Sequence, residues 1–260
     1  MTDPDVARAA AEAGAAVVRA RFGGEHERYA KGGLDFATDV DIEAERAIIE
    51  VLQRLRPQDH VIGEEIGHVP GDVEGRTWLV DPLCGTANFA AGVQAVAVNV
   101  ALPAAAVAAV AIPFSQEVIV VGPNGARMHA ADGESPLSPS GHSRIIDFDL
   151  DQRPTLPGFQ PLDLMADAEF RSTFQPRVTS TSLALTWVAI GRRAGYVTDG
   201  QLADNVHFAA GVTVCLAAGC VVSDLHGRPV TPGAAASGMI AAADEQTQAR
   251  LLALVRRLQG

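Results

Sequence analysis

The chain contains few cysteines, and a secretion signal is not predicted from its first residues. Its 260 residues include only three cysteines, at positions 84, 215 and 220, which are too few for a disulfide framework. We therefore predict a reducing compartment, the cytoplasm. The acidic start, Met-Thr-Asp-Pro-Asp, has neither the basic segment nor the apolar segment of a signal peptide, in agreement with that prediction.

Acidic residues outnumber basic residues in this chain. The chain has 20 Lys and Arg residues against 31 Asp and Glu residues, a formal net charge of −11, and a sequence pI of about 5.0. No run of Lys and Arg of the kind that binds nucleic acid is present, and an acidic surface repels phosphate backbones. The composition therefore predicts no nucleic-acid partner.

A membrane-spanning segment is not predicted either. The most apolar stretch, 93–113, is interrupted by Gln94, Asn99 and two prolines. These interruptions favour short strands over a membrane helix. We predict no membrane partner.

The spacing of apolar residues predicts a mixture of helices and strands. The stretch 132–142, rich in Gly, Ser and Pro, is the best internal boundary, so we predict an N-terminal half (1–140) that carries the site motifs and a C-terminal half (141–260) that completes the site. Asp3 or Asp5 is expected to cap the first helix. The pattern predicts helices at 4–22, 39–55, 183–190, 208–218 and 243–258, and strands at 60–63, 78–81, 96–102, 107–113, 117–121, 145–148, 195–197 and 221–224.

Two of these strands end in acidic residues. The apolar run 60–63 precedes Glu64 and Glu65, and the run 78–80 precedes Asp81. Strands that end in this way deliver ligands at their carboxyl ends. We expect the functional site at this edge of a sheet.

Residues 81–89 read Asp-Pro-Leu-Cys-Gly-Thr-Ala-Asn-Phe, which resembles the Asp-Pro-x-Asp-Gly-Thr-x-Asn-Phe signature of the inositol monophosphatase superfamily. Further segments resemble the family in the same order, at 35–41, 60–65, 180–191, 206–211 and 221–227. The resemblance implies an α/β (α+β) fold, a layered αβαβα sandwich of the sugar and inositol phosphatase type, often as a homodimer. It also implies metal-dependent hydrolysis of a small phosphomonoester.

The resemblance implies roles for the matching residues. Glu64, Asp81 and the backbone carbonyl of Leu83 would hold a first Mg²⁺. Thr86 would orient the attacking water together with Asp41 and Glu64. The residues expected to bind substrate, through backbone N–H groups or a hydroxyl, are Gly85, Thr86 and Ser180.

Two positions depart from the family pattern. The family holds a second cation with three aspartates, of which this chain retains Asp81. The other two positions are Cys84 and His207. Because the aspartates they replace share one ion, we expect Cys84 and His207 to lie close together, as metal ligands or as catalytic residues.

Three interpretations of this pair remain open. The second ion could have changed to Zn²⁺, Fe²⁺ or Mn²⁺, because thiolate and imidazole are softer ligands than carboxylate. It could be absent, leaving a weak phosphatase with one metal or a non-catalytic binding or regulatory protein. Alternatively, Cys84 and His207 could act as nucleophile and base in another small-molecule reaction, with the pKa of the thiol lowered by a helix N-terminus.

The substrate-facing positions do not match the inositol-specific pattern. Gly200 stands where many family members have a carboxylate that contacts a substrate hydroxyl, and Val206 stands where the family has Trp. The sequence therefore predicts a small phosphorylated substrate without identifying it as an inositol phosphate.

Overall fold

The computed structural model describes residues 1–151, 159–202, 205–231 and 236–259. The chain forms two units, each built around its own sheet. The first unit comprises Met1–Pro136, Thr181–Leu183 and Val206–Thr213, and the second comprises Leu137–Ser180, Ala184–Asn205 and Val214–Gly260.

An eight-stranded sheet and two long helices form most of the first unit. The helices are α1 (Asp3–Arg21), α2 (Asp39–Leu55) and the short α3 (Thr86–Ala90). The strands are β1 (Arg28–Gly32), β2 (Asp35–Thr38), β3 (His60–Gly63), β4 (His68–Val69), β5 (Thr77–Cys84), β6 (Ala97–Leu102), β7 (Val107–Ile112), β8 (Glu117–Gly122), β9 (Gly125–Ala130) and β10 (Gly133–Pro136). β1 and β2 form a separate hairpin, and the large sheet has the order β10-β9-β8-β7-β6-β5-β3-β4.

Helix α1 packs on α2 and on the sheet through small residues. Thr2 caps α1 in a capping box with Asp5, so the expectation that Asp3 or Asp5 is the cap was wrong; the hydroxyl of Thr2 accepts the Asp5 N–H, and the Asp5 carboxylate accepts the Thr2 N–H. A Cβ at Gly14 would lie 2.7 Å from Cδ1 of Ile48 on α2. Glycine at this position therefore leaves room for the side chain of Ile48.

The second unit has a five-stranded sheet, whose strands in spatial order are Gln175–Val178 (β12), Ile145–Phe148 (β11), Gly195–Gln201 (β13), Ser237–Ala242 (β15) and Val221–Ser223 (β14). Its core is built from phenylalanines and from the apolar face of the last helix, including Phe148, Phe170, Leu251 and Val255. The remaining α-helices of the chain are α4 (Pro161–Ala166), α5 (Ala168–Thr173), α6 (Leu183–Ala189), α7 (Val206–Ala217) and α8 (Glu245–Gln259).

The predicted layered α/β class is confirmed, because helices cover the sheets in each unit. The predicted helices and strands are present with small changes in their bounds. The prediction missed the strands β1, β2, β4, β9, β10, β12 and β15 and the helices α3, α4 and α5. Several of these are short or largely exposed and so lack a clear apolar period. Within the described part of the chain, no helix is both long and apolar enough to cross a bilayer.

Candidate active site

Two acidic residues at adjacent strand ends lie at the centre of the site. β3 and β5 are parallel, with Gly63 opposite Val80, so Glu64 and Asp81 follow at the same edge. The Glu64 N–H donates to the Val80 carbonyl at 3.2 Å. Asp81 is fully buried, and its Oδ1 accepts the Leu83 N–H at 3.2 Å. The parallel pairing thus makes Glu64 and Asp81 neighbours, and Leu83 follows Asp81 on the same strand.

His207 reaches these carboxylates from the first turn of α7. Its Nδ1 lies 2.8 Å from Oδ2 of Asp81, and its Nε2 lies 3.8 Å from Oε1 of Glu64. The helix begins at Val206 rather than at the predicted residue 208, and this earlier start places His207 on the helix. The side chain of His207 is 30% exposed, whereas that of Asp81 is inaccessible.

The charges of this cluster depend strongly on one another. Burial lowers the pKa of His207, but the charge of Asp81 and the hydrogen bond to it outweigh burial and raise this pKa well above its ordinary value. Burial raises the pKa of Asp81, but His207 lowers it overall. Burial, followed by the charge of Asp81, raises the pKa of Glu64 to about 8. Buried carboxylates packed this closely favour a cation.

Cys84 lies beside this pair, at the end of β5. Its buried Sγ accepts the N–H of Ser182 at 3.1 Å, and its carbonyl accepts the hydroxyl of Thr181 at 2.9 Å. Among the described residues, Asp81, Cys84 and His207 form the group whose ligand atoms all lie within 4.8 Å of one another. The expected closeness of Cys84 and His207 is therefore found in the structure.

The thiol of Cys84 is not activated in this environment. Burial, followed by the charge of Asp81, raises its pKa to about 11. The expectation that the N-terminus of a helix lowers this pKa is wrong in direction. The helix that follows, α3, has only five residues, whereas the carboxylate of Asp81 is close to the sulfur.

Thr86 and Asp41 form a hydrogen-bonded pair next to Leu83, one of the ligands predicted for the first cation. The hydroxyl of Thr86 donates to Oδ1 of Asp41 at 2.7 Å and is 3.2 Å from the carbonyl of Leu83. Oδ2 of Asp41 accepts the Thr38 N–H at 2.8 Å. α3 starts at Thr86, after Gly85 with a φ of 107°, a conformation that favours glycine. The family resemblance implied a shared role for Thr86 and Asp41, and the structure places their side chains in hydrogen-bonding contact; the role itself stays a prediction.

Lys31 was not anticipated as part of the site. It lies on β1, and its Nζ donates to Oε1 of Glu64 at 2.7 Å and also to the carboxylate of Glu65. The five residues of β1 are exposed and have no apolar alternation. Neither periodicity nor a motif in the sequence signals that this lysine lies near Glu64.

Asn99 and Ser182 were also missed. Asn99 lies opposite Asp81 in the pairing of β5 with β6, and its Nδ2 donates to the hydroxyl of Ser182 at 2.7 Å. The same nitrogen is 3.5 Å from Oδ2 of Asp81. A buried amide within the apolar strand Ala-Val-Asn-Val-Ala-Leu was the available signal, because such a group needs polar partners.

Ser180, the predicted substrate contact, belongs to the second unit. Its hydroxyl accepts the Leu150 N–H at 3.4 Å, and its contact with substrate stays a prediction. Cys215 and Cys220 are buried free thiols, and the Cys220 N–H donates to the Cys215 carbonyl at 2.9 Å. Arg193 forms an ion pair with Asp147 in the second unit, a structural role.

A family model described as the inositol monophosphatase family matches residues 3–259 of the chain. The match covers nearly the whole chain and both units. It agrees with the resemblance carried by residues 81–89.

Curated relatives of this chain carry three different kinds of name. Inositol-1-monophosphatase ImpA of Mycolicibacterium smegmatis is 34% identical over 215 residues, covering 77% of this chain and 74% of the relative. Nus factor SuhB of Escherichia coli is 31% identical over 210 residues, covering 76% and 74%. An uncharacterized protein of Sinorhizobium fredii, y4fL, is 33% identical over 198 residues, covering 75% and 69%.

Solved structures share the fold. The extragenic suppressor protein SuhB of Bartonella henselae has a TM-score of 0.81 at 23% identity, covering 97% of this chain and 98% of its own. The IMPase of Thermotoga maritima has a TM-score of 0.77 at 18% identity, covering 98% and 95%. At these identities the likeness establishes the fold alone.

Proposed function

Because the chain belongs to the inositol monophosphatase family, we propose that it hydrolyses a small phosphomonoester with the help of divalent cations. One observation carries the proposal. Glu64 and Asp81 lie at adjacent strand ends, beside the hydrogen bond between Thr86 and Asp41. Cation ligands and a group able to orient water are thus adjacent.

The first cation position suits Mg²⁺. Its donors are the carboxylates of Glu64 and Asp81 and the carbonyl of Leu83, all of them hard oxygen ligands. The raised pKa of Glu64, about 8, supports a cation here, because added positive charge would relieve the repulsion between the carboxylates. When bound, Mg²⁺ would supply positive charge to the phosphoryl oxygens as negative charge develops there.

Thr86 and Asp41 would position the attacking water. The Thr86 hydroxyl donates its proton to Asp41, so the lone pairs of its oxygen are available to a water proton. Asp41 is held in place by the N–H and the hydroxyl of Thr38. In this proposal, Thr86 accepts the hydrogen bond of the water and directs its oxygen towards the phosphorus, with Glu64 close enough to assist.

The substrate phosphate would be held by the start of α3 and by Lys31. The backbone N–H groups of Gly85 and Thr86 are proposed to bind phosphate oxygens, and Ser180 is proposed to contact the substrate. Lys31 Nζ, held by two carboxylates, adds a positive charge at this edge. Homodimer formation and a cytoplasmic location remain predictions from the family resemblance and the composition.

Phosphate release from a panel of small phosphomonoesters, with Mg²⁺, Mn²⁺, Zn²⁺ and Fe²⁺ supplied separately, tests this function. Turnover should disappear in Asp81→Asn, which removes a shared ligand, and persist in Asp132→Asn, a matched change at an exposed turn. If the folded protein shows no turnover with any ion, or if Asp81→Asn retains it, the proposal is wrong.

A regulatory function is the second candidate. Relatives about 31% identical are named Nus factor SuhB, and the chain has lost two of the three aspartates expected at the second cation. Absence of turnover together with specific capture of a transcription complex would favour this candidate. The Cys84 nucleophile has the least support, because the thiol is buried and its pKa is about 11.

A further inference from the structure

The second cation position combines three different ligand types. The carboxylate of Asp81, the thiol of Cys84 and the imidazole of His207 offer one atom each, and these atoms lie within 4.8 Å of one another. The three residues come from the end of β5 and the start of α7. Two regular elements therefore hold the group in place.

This set does not fit a second Mg²⁺. Mg²⁺ takes oxygen ligands in near-octahedral geometry and retains several waters. A thiolate and an imidazole are softer donors that suit Zn²⁺ and similar ions. We infer that Asp81, Cys84 and His207 bind a thiophilic divalent cation of the Zn²⁺ class, in a position where the family has Mg²⁺.

The spacing between His207 and Asp81 is close to that of two ligands on a tetrahedral ion. Ligands at about 2.0–2.3 Å from a tetrahedral Zn²⁺ lie roughly 3.3–3.8 Å from each other. The hydrogen-bonded pair formed by Nδ1 of His207 and Oδ2 of Asp81, at 2.8 Å, needs to open by only about half an ångström to admit the ion. Three protein ligands leave the fourth position open to water or substrate, as in catalytic zinc sites.

The surroundings of the ligands also suit a bound thiolate. The N–H of Ser182 points at Sγ of Cys84 at 3.1 Å, and such a donor stabilises negative charge on sulfur. Asn99 donates to the hydroxyl of Ser182 and lies near Asp81. In metal sites, residues that hydrogen-bond to the ligands fix the orientation of those ligands and affect the affinity for the metal. Asn99 and Ser182 are therefore positioning residues for this ion.

The inference deepens the proposed function and rests on it for the part the ion plays in hydrolysis. Binding of the ion is tested by an experiment that does not depend on phosphatase activity. The protein is stripped with a chelator and titrated with Co²⁺, which absorbs visible light in tetrahedral sites and gives a near-ultraviolet charge-transfer band when bound by thiolate. Wild type should bind one such ion per chain and release it to Zn²⁺ but not to Mg²⁺.

Single substitutions show which residue gives rise to each absorption band of the bound Co²⁺. Cys84→Ser should abolish the sulfur-to-cobalt band, whereas Cys220→Ser, a buried cysteine outside the site, should leave it unchanged. His207→Gln should keep the sulfur band and change the visible bands, so it also tests the site if Cys84→Ser does not fold. Asn99→Ala should weaken Co²⁺ binding by about 10- to 100-fold.

The outcomes separate the two proposals. Absence of a sulfur band in folded wild type, or its survival in Cys84→Ser, would overturn the thiophilic site, whatever the phosphatase activity. A sulfur band without turnover in the phosphomonoester panel would support the site and contradict the proposed function. Mg²⁺-dependent turnover without the band would support hydrolysis and contradict the inferred ion.

Discussion

Gly63 lies directly against the carboxylate of Glu45: a Cβ at Gly63 would be 1.5 Å from Oε1 of Glu45. The same carboxylate accepts the N–H groups of Glu65 and Ile66, at 2.8 and 3.2 Å. Glu45 therefore holds the turn that follows β3, where Glu64 presents its side chain to the cation position. Glycine is needed at 63 because the buried carboxylate occupies the space of a side chain.

Gly63→Ala should displace Glu45 and loosen this turn. We expect a loss of about 1–3 kcal/mol in the free energy of unfolding, the usual range for overpacking a buried site, measured by urea denaturation. The double variant Gly63→Ala, Glu45→Ala provides the control, because removal of the carboxylate relieves the clash. Additive losses in this double-mutant cycle would contradict the direct contact.

Glu45 should also make stability depend on pH. Burial raises its pKa from 4.5 to about 7, so the folded state keeps a proton that the unfolded chain has released. The contribution of Glu45 to the free energy of unfolding is greatest below about pH 4.5. It declines by about 2–3 kcal/mol as the pH rises to about 7. In metal-free protein, Glu45→Gln should flatten the slope over this range. An unchanged slope would show that Glu45 is not the group responsible.

Thr86 should act through its hydroxyl rather than through its volume. If the protein is a phosphatase, Thr86→Val should lower kcat by about 10²- to 10⁴-fold, the usual contribution of a positioned proton-handling group, with little change in KM. Thr86→Ser keeps the hydroxyl that donates to Asp41 and should retain most of the rate. Equal losses in both variants would indicate a packing role instead.

Lys31 should compete with the first cation for Glu64. Its Nζ donates to Glu64 and Glu65, so Lys31→Met removes the positive charge that both partly buried carboxylates contact in the metal-free protein. We expect a lower Tm without Mg²⁺ and a larger rise in Tm when Mg²⁺ is added. Arg28→Met is the control. It also removes one positive charge from β1, but the Arg28 guanidinium stacks on the ring of Phe36, whereas Lys31 contacts Glu64 and Glu65. An identical Mg²⁺ response in both variants would argue against competition.

Restoring the family ligands should change the preferred ion. The double variant Cys84→Asp, His207→Asp replaces the soft ligands with carboxylates, which favour Mg²⁺ over Zn²⁺. We expect Mg²⁺-dependent phosphate release to rise and the Zn²⁺ affinity measured by calorimetry to fall. A decrease in Mg²⁺-dependent release would mean that Cys84 and His207 serve the natural reaction with that ion.

Sequence patterns predicted the site best where an acidic residue directly follows an apolar run that forms a strand. Glu64 and Asp81 each end an apolar run, and the parallel pairing of β3 with β5 makes them neighbours. Thr86 and Asp41 were connected through the family resemblance alone. The small residues of α1 predicted a helix, but its cap at Thr2 was missed because several adjacent residues can accept an N–H.

The amino-acid sequence by itself determined the periodicity of the main helices and strands, the acidic residues at the strand ends and the exchange of two aspartates for Cys84 and His207. Only the tertiary structure decided which groups surround them. Lys31 donates to Glu64, the Ser182 N–H donates to Cys84, and the amide of Asn99 lies next to Asp81. The physical reason is distance along the chain. Local pattern reflects neighbours three or four residues apart, whereas the pKa values and ligand geometry of the site arise from packing residues up to 126 positions apart.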